Sequence, residues 1–325
     1  MTKRSVNNSW TFLLLLTTAL VFAGCSAGEE EEDLVPIRLS AGSNTLSADS
    51  RGAGVISPDD AFQPTFIASL AENDFTTVAW SDNASVNKGL AAVTFSSNTH
   101  YYPSRGEWIY IAGVHPHPAQ GALANGKVTY TLDGTTDVMH APPRRGNKWD
   151  SNRFAGNTLT KYDDEKKFVF AHLLTQLQIK AKKAEASGLA FIITGIKVKG
   201  ITPSLSVGLI DGEAAFSGTA DVEISSSAIQ ATEIKDTTPV DIANLLLPPS
   251  EAGSFTLDIE TSAGLFKDVV VKIDQATHEG TEKKGFRAGY AHTVTLTIHD
   301  SDLQVNVSIS KWNSVTGEEM DLVDD

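Results

Sequence analysis

Period-two alternation runs through this chain from Pro36 onward, and it restricts the fold more than any other feature. In LQVNVSIS, Leu303, Val305, Val307 and Ile309 take one face, and Gln304, Asn306, Ser308 and Ser310 take the other. HTVTLTIHD sets Val294, Leu296 and Ile298 against Thr293, Thr295 and Thr297. SFTLDIE presents Phe255, Leu257 and Ile259, and KDVVVKI presents Val269, Val271 and Ile273. Strands with one wet face belong to antiparallel sheets packed on a core. Turn residues in LDGTTD, GLIDGE and TSAGLF punctuate these runs at the spacing of β-sandwiches. Helical signals are few: SPDDAFQPTFIASL and DIANLL suggest short turns, with Ser57 or Asp241 as caps. The expected class is mainly β.

At 325 residues the chain is long enough for two domains. The polar, small-residue stretch KAKKAEASG (180–188) suggests a boundary. It leaves a first half over 35–184 and a second over 188–325, with no repeat legible between them. Forty acidic residues against 26 basic ones give a net charge of −14, which argues against a nucleic-acid partner. The one concentrated basic stretch, PPRRGNK, reads as an exposed loop.

The single cysteine, Cys25, has no partner for an internal disulfide and no second thiol for a zinc site. Lys3 and Arg4 precede WTFLLLLTTALVFAG, an apolar run over 10–24 that is too short to span a bilayer but suits a signal-peptide core. The following FAGC resembles the lipobox of bacterial lipoproteins, with Phe22 in place of the usual leucine. That resemblance implies that residues 1–24 are a signal peptide and that Cys25 carries lipid. Acyl chains add ~0.8 kcal/mol per buried methylene, so Cys25 is a tether to the outer membrane rather than a catalyst. Five consecutive acids, Glu29 to Asp33, follow within the 25–34 spacer. They look like the signal that sends some lipoproteins to the outer face of the outer membrane, and they also stay solvated by self-repulsion.

No catalytic constellation stands out. The eight histidines include no HExxH pair. His115 and His117 in HPHP lie on one side of an extended segment, but two ligands without a third make a poor metal site. His172, within FVFAHLLTQLQI, reads as a core or edge histidine. No GxSxG elbow and no glycine-rich phosphate loop occurs, and among forty acids no pair declares itself as a dyad. A structural or binding protein without cofactor, metal or catalytic residues is the expectation.

Several stretches in order resemble the fimbrillin family, pilins and pilus-associated proteins of protease-activated fimbriae. YYPSRGEWIYIAGVHP is similar to the family's tyrosine-proline turn and following strand. DVMHAP ahead of FVFAHLLTQLQIKAK resembles its Asp-x-Met-x-Ala element and Phe-x-His-x-Leu strand. ITGIKVKG, LLPPSEAGSFTLDIE, and then GFRAGYAHTVTLTI with VNVSISKW complete the family's order. The resemblance implies two tandem transthyretin-like antiparallel β-sandwich domains. It also implies assembly with other fimbrial subunits by strand addition, after an arginine-specific surface protease removes an N-terminal strand.

LVPIRLSAG has the look of that strand, with Val35, Ile37 and Leu39 alternating, and Arg51 in SADSRGAG is the candidate cut site. Small flexible neighbours favour proteolysis there, whereas Arg38 lies inside the strand. After Trp312, NSVTGEEMDLVDD carries scattered Val315, Met320, Leu322 and Val323, too acidic and too short for a donor strand. That departure from a stalk subunit suggests a minor or tip pilin, able to bind a host protein or glycan. Two alternatives stand beside it. One is a lipid-retained anchor subunit. The other is a surface glycan-binding lipoprotein of a polysaccharide-uptake system, with Trp80, Trp108, Trp149, Tyr101 and Tyr102 as a stacking platform.

Overall fold

The computed structural model describes residues 34–43, 60–87, 91–154, 156, 166–185, 188–273, 285–299 and 303–311. All strands fall in the unit that begins at Val35. The first nine are β1 (Ser40–Ser43), β2 (Thr65–Ser69), β3 (Trp80–Val86), β4 (Ala91–Phe95), β5 (Ile109–His115), β6 (Leu123–Ala124), β7 (Lys127–Thr131), β8 (Met139–Gly146) and β9 (Phe168–His172). The next five are β10 (Thr175–Lys183), β11 (Ile193–Ile201), β12 (Ser204–Gly208), β13 (Ala214–Ser217) and β14 (Ala220–Glu223). The last five are β15 (Val240–Leu247), β16 (Ser254–Thr261), β17 (Gly264–Lys272), β18 (Tyr290–Ile298) and β19 (Leu303–Lys311). Helix is confined, among the described residues, to short 3-10 turns such as Asp150–Asn152 and Ser226–Ala228.

Seven strands close a barrel in the order β1-β4-β3-β2-β5-β8-β9. Two four-stranded sheets, β15-β10-β18-β19 and β14-β11-β16-β17, face each other across a second core built from residues between Leu177 and Ile298. A third small sheet, β13-β12-β7-β6, joins strands from both halves of the sequence. β7 lies against β12 in antiparallel register from Lys127↔Gly208 to Thr131↔Ser204. The mainly β class is therefore as the alternation implied.

Where the alternation is clean, the structure follows it. Phe255, Leu257 and Ile259 of β16, and Val294, Leu296 and Ile298 of β18, are buried, while their neighbours are partly or fully exposed. Two segments read as helical turns are instead strands. In β2, Phe66 and Ala68 enter the barrel core, while Ile67 enters a separate core beneath the β13-β12-β7-β6 sheet. In β15, Ile242, Leu245 and Leu247 face the second core and Leu246 faces that same middle cluster. A strand buried on both faces loses its alternation, so period alone cannot separate it from a short buried helix. Ser57 lies outside the described residues, and Asp241 pairs with Lys180 at 2.7 Å in place of capping a helix.

The polar stretch 180–188 begins inside β10. That strand runs antiparallel to β15 and parallel to β18, so it hydrogen-bonds on both sides to strands from later in the chain. The passage from barrel to second core falls between His172 and Thr175, where Leu174 is fully buried in the middle cluster.

Candidate functional site

The segment that closes the barrel is Val35–Ser43. Its first part lies along the 96–102 loop: the Ile37 N–H donates to the His100 carbonyl at 2.7 Å, and the Tyr102 N–H donates to the Val35 carbonyl at 3.0 Å. Between these bonds Pro36 faces Tyr101. The Val93 N–H then donates to the Leu39 carbonyl at 2.9 Å. β1 itself is antiparallel to β4, with Ser40↔Ala92 and Ala41↔Ala91. Its other edge is parallel to β9, from Ala41↔Phe168 to Ser43↔Phe170.

The alternation at Val35, Ile37 and Leu39 places apolar side chains inward. Ile37 is 3% exposed, Leu39 1% and Ala41 0%, with Val35 packed at the rim. They meet an aromatic core in which Phe62 lies edge-on to Phe170 and Phe66 edge-on to Phe168, both at 5.2 Å. Gly113 makes room for this packing, since a Cβ there would sit 2.5 Å from the Phe170 ring. Arg38, between the buried pair, points to solvent. Burying Ile37 and Leu39 contributes roughly 3–6 kcal/mol gross, against the ~5–15 kcal/mol net stability of a typical domain.

The loop that receives Val35 and Ile37 is braced from behind. Asp82, on β3, accepts from the Ser97 hydroxyl at 2.7 Å and from His100 Nε2 at 2.9 Å. Trp80 stacks on the His100 ring at 3.9 Å and 8°, and Phe95 meets it edge-on at 4.8 Å. Burial pushes the Asp82 carboxyl up, but the bonds from Ser97 and His100 outweigh it and hold it below the usual carboxylate range. Tyr102 turns inward, accepts from the Phe154 N–H at 2.8 Å, and has its phenol pushed up by burial to about 12. Asp82, Ser97 and His100 belong to no sequence motif, and only Pro36 inside an apolar alternation hints at anything special nearby.

A second polar group lies where the barrel meets the middle core. His172 Nδ1 is 2.8 Å from Asp137 Oδ2, both side chains almost fully buried, which makes His172 a paired core histidine. His140 Nε2 donates to the Leu209 carbonyl at 3.1 Å, tying β8 to the turn after β12. In the HPHP segment, His115 Nδ1 bonds the Gln63 carbonyl at 3.0 Å and His117 Nδ1 is 3.1 Å from Thr65 Oγ1. No group of three or more His, Cys, Asp or Glu fit to hold a metal gathers among the described residues.

The five aromatic residues named for a stacking platform do not form one. Trp80 belongs to the His100 stack and Tyr102 to the barrel core. Trp108 lies under Arg145 at 4.7 Å, while Tyr101 and Trp149 are exposed. Cys25 and Arg51 lie outside the described residues.

Barrel, opposed sheets and a segment at Val35–Ser43 that closes the barrel define an all-β protein built on packing and strand pairing. The chain belongs to the fimbrillin-like family, whose sequence pattern matches residues 65–312. That family is one of structural fimbrial and adhesion subunits. Solved structures share the fold over nearly their whole length. A candidate cell adhesion protein from Bacteroides uniformis has a TM-score of 0.53 at 16% identity, covering 86% of this chain and 98% of its own. One from Bacteroides ovatus has a TM-score of 0.54 at 14% identity, covering 87% and 99%. A third, from Parabacteroides distasonis, has a TM-score of 0.52 at 8% identity, covering 88% and 98%. No curated protein sequence matches the chain.

Proposed function

We propose that this fimbrillin-like chain is an exported fimbrial subunit, assembled by exchange of the strand that closes its barrel. Cys25 carries the lipid that holds the precursor at the outer membrane, with residues 26–34 as spacer. An arginine-specific surface protease cuts after Arg51 and frees the segment holding Val35, Ile37 and Leu39. The gap between β4 and β9 then takes an extended strand from a neighbouring subunit. The barrel side and the side from Thr175 onward serve as the two domains of the family. Scattered apolar residues after Trp312, without alternation, suit a minor or tip position that accepts a strand and donates none, leaving the distal surface free for adhesion.

The observation that carries this reading is the seat of residues 35–43. Ile37 and Leu39 are buried in the barrel core, and the short segment they belong to runs between strand neighbours on both sides. Removing such a segment opens a hydrophobic slot with unpaired strand edges on both sides, which is the driving force for strand addition. Mass spectrometry of sheared surface fibres tests it. The expected N-terminus is Gly52; fibre-incorporated chains that begin at acylated Cys25 overturn the exchange mechanism and leave a lipid-retained subunit. Deleting residues 313–325 is expected to leave incorporation intact, and its loss would restore a stalk role.

A further inference from the structure

We propose that the 96–102 loop is a strand-reading rail: a binding site for an extended, apolar-alternating peptide segment, whose register it sets through the His100 carbonyl and the Tyr102 N–H. It rests on the function proposed above only for the identity of a second occupant.

The rail is not a regular strand, so something must hold its polar groups in place. His100 supplies that hold. Its ring is clasped between Trp80 at 3.9 Å and Phe95 at 4.8 Å, and its Nε2–H is fixed on Asp82 at 2.9 Å. The same carboxylate takes the Ser97 hydroxyl, which pins the start of the loop. At the far end the Tyr102 hydroxyl is bonded by the Phe154 N–H. With side chains fixed on both sides of Tyr101, the carbonyl of His100 and the N–H of Tyr102 are presented in set positions. They meet the N–H of Ile37 and the carbonyl of Val35.

Pro36 is the feature of the resident strand that this rail reads. The residue facing Tyr101 makes no bond to the rail, so the missing N–H of Pro36 costs the ladder nothing. A slip of one residue would set Pro36 against the His100 carbonyl with no donor to offer. It would also turn Ile37 and Leu39 to solvent and Arg38 into the core, since side chains alternate with period two. An incoming strand therefore needs an N–H at the Ile37 position and apolar side chains at the Ile37 and Leu39 positions. It tolerates proline only opposite Tyr101.

Residue-resolved amide exchange on the full chain in detergent micelles tests both halves. His100→Ala is expected to speed exchange of the Ile37 and Tyr102 amides by about tenfold or more, with Val294 and Leu296 in β18 unchanged. His100→Gln, which returns a donor to Asp82, brings them back to within about threefold of the wild-type rate. Unchanged exchange at Ile37, an equal rise in β18, or no recovery with glutamine overturns the rail. Should His100→Ala not fold, Ser97→Ala carries the test, with about a threefold rise confined to the same amides. For register, Ile37→Pro, which removes the N–H that the His100 carbonyl accepts, is expected to speed exchange of the Tyr102 amide by about tenfold or more, whereas Pro36→Ala leaves it unchanged. An equal effect of the two variants overturns the reading of Pro36. None of these readouts involves cleavage or polymerisation. A chain that fails to polymerise after cutting at Arg51 sinks the proposed function and leaves the rail standing.

Discussion

β1 and β19 are both peripheral in sequence, and they are held in opposite ways. β19 pairs with β18 through nine consecutive partners, from Leu303↔Ile298 to Lys311↔Tyr290, and lies at a sheet edge. Its inward residues Leu303, Val305 and Val307 are only partly buried. β1 has four residues and pairs on both edges, with two partners on β4 and three on β9. Yet the segment that leads into it seals the barrel with fully buried side chains. Ladder length and side-chain burial are therefore separate means of attachment. A segment held mostly by burial leaves a deep, specific hole when it goes, and any chain of the right pattern can refill it. An edge strand held by its ladder leaves a second edge behind.

The largest effect is expected at Asp137, which anchors β9, the strand along which β1 runs parallel. Asp137→Ala leaves the His172 ring buried opposite an empty space and should cost about 3–5 kcal/mol in urea unfolding; a loss under ~1 kcal/mol would mean that the pair does not brace β9. Next comes the contrast itself. Leu39→Ala should cost about 2–5 kcal/mol as a filled core position is emptied. Val305→Ala, half-buried on the edge strand, should cost about 1 kcal/mol. Equal losses would erase the distinction between the two attachments. Gly113→Ala should cost about 1–3 kcal/mol, because the added methyl meets the Phe170 ring on the wall that β1 closes. A neutral result there would show that the aromatic core can shift to accommodate it.

How much of this was legible from sequence depends on how many faces each strand buries. β16, β17, β18 and β19 bury one face, so Phe255, Val271, Leu296 and Val305 declare themselves by period two. β2 and β15 lie between two cores and read as short apolar turns, because Ile67 and Leu246 are as buried as their neighbours. Val35, Ile37 and Leu39 alternate inward ahead of β1, whereas β1 itself, buried at Ser40, Ala41 and Gly42 alike, carries no alternation. The brace beneath this segment was not legible. Asp82 and His100 are 18 residues apart and Ser97 lies between them in no recurring motif. Their meeting depends on how β3, β4 and the following loop fold back, which composition does not encode. The polar stretch 180–188, which suggested a boundary, begins within β10, where Lys180, Lys182 and Lys183 occupy the partly exposed positions of the strand.

The smallest effect expected is a pH dependence carried by histidines of the barrel side. Burial holds the His115 and His140 imidazoles below the ordinary histidine range. His115 faces Asp137, His117 and His172, and His140 faces Asp211. The unfolded chain takes up protons on these rings as pH falls through about 6.5, while the folded barrel resists. Their contribution is therefore complete above that value and declines below it. Asp82 adds a second loss at lower pH: its carboxyl is depressed, so its stabilisation is present above the ordinary carboxylate range and disappears as pH falls through its folded value. The outer face of β14-β11-β16-β17 behaves in the opposite sense. Lys197 and Lys199 are raised by their bonds to Glu223 and Asp268, and their small, solvent-screened contribution is lost only in alkali. Thermal melts between pH 7.5 and 5 should thus show the β5 and β8 amides losing protection before those of β16. His140→Leu should flatten that acid slope while lowering the plateau, since the bond to the Leu209 carbonyl goes with the ring. An unchanged slope in this variant would place the acid sensitivity elsewhere and leave barrel and sheet alike in their response to pH.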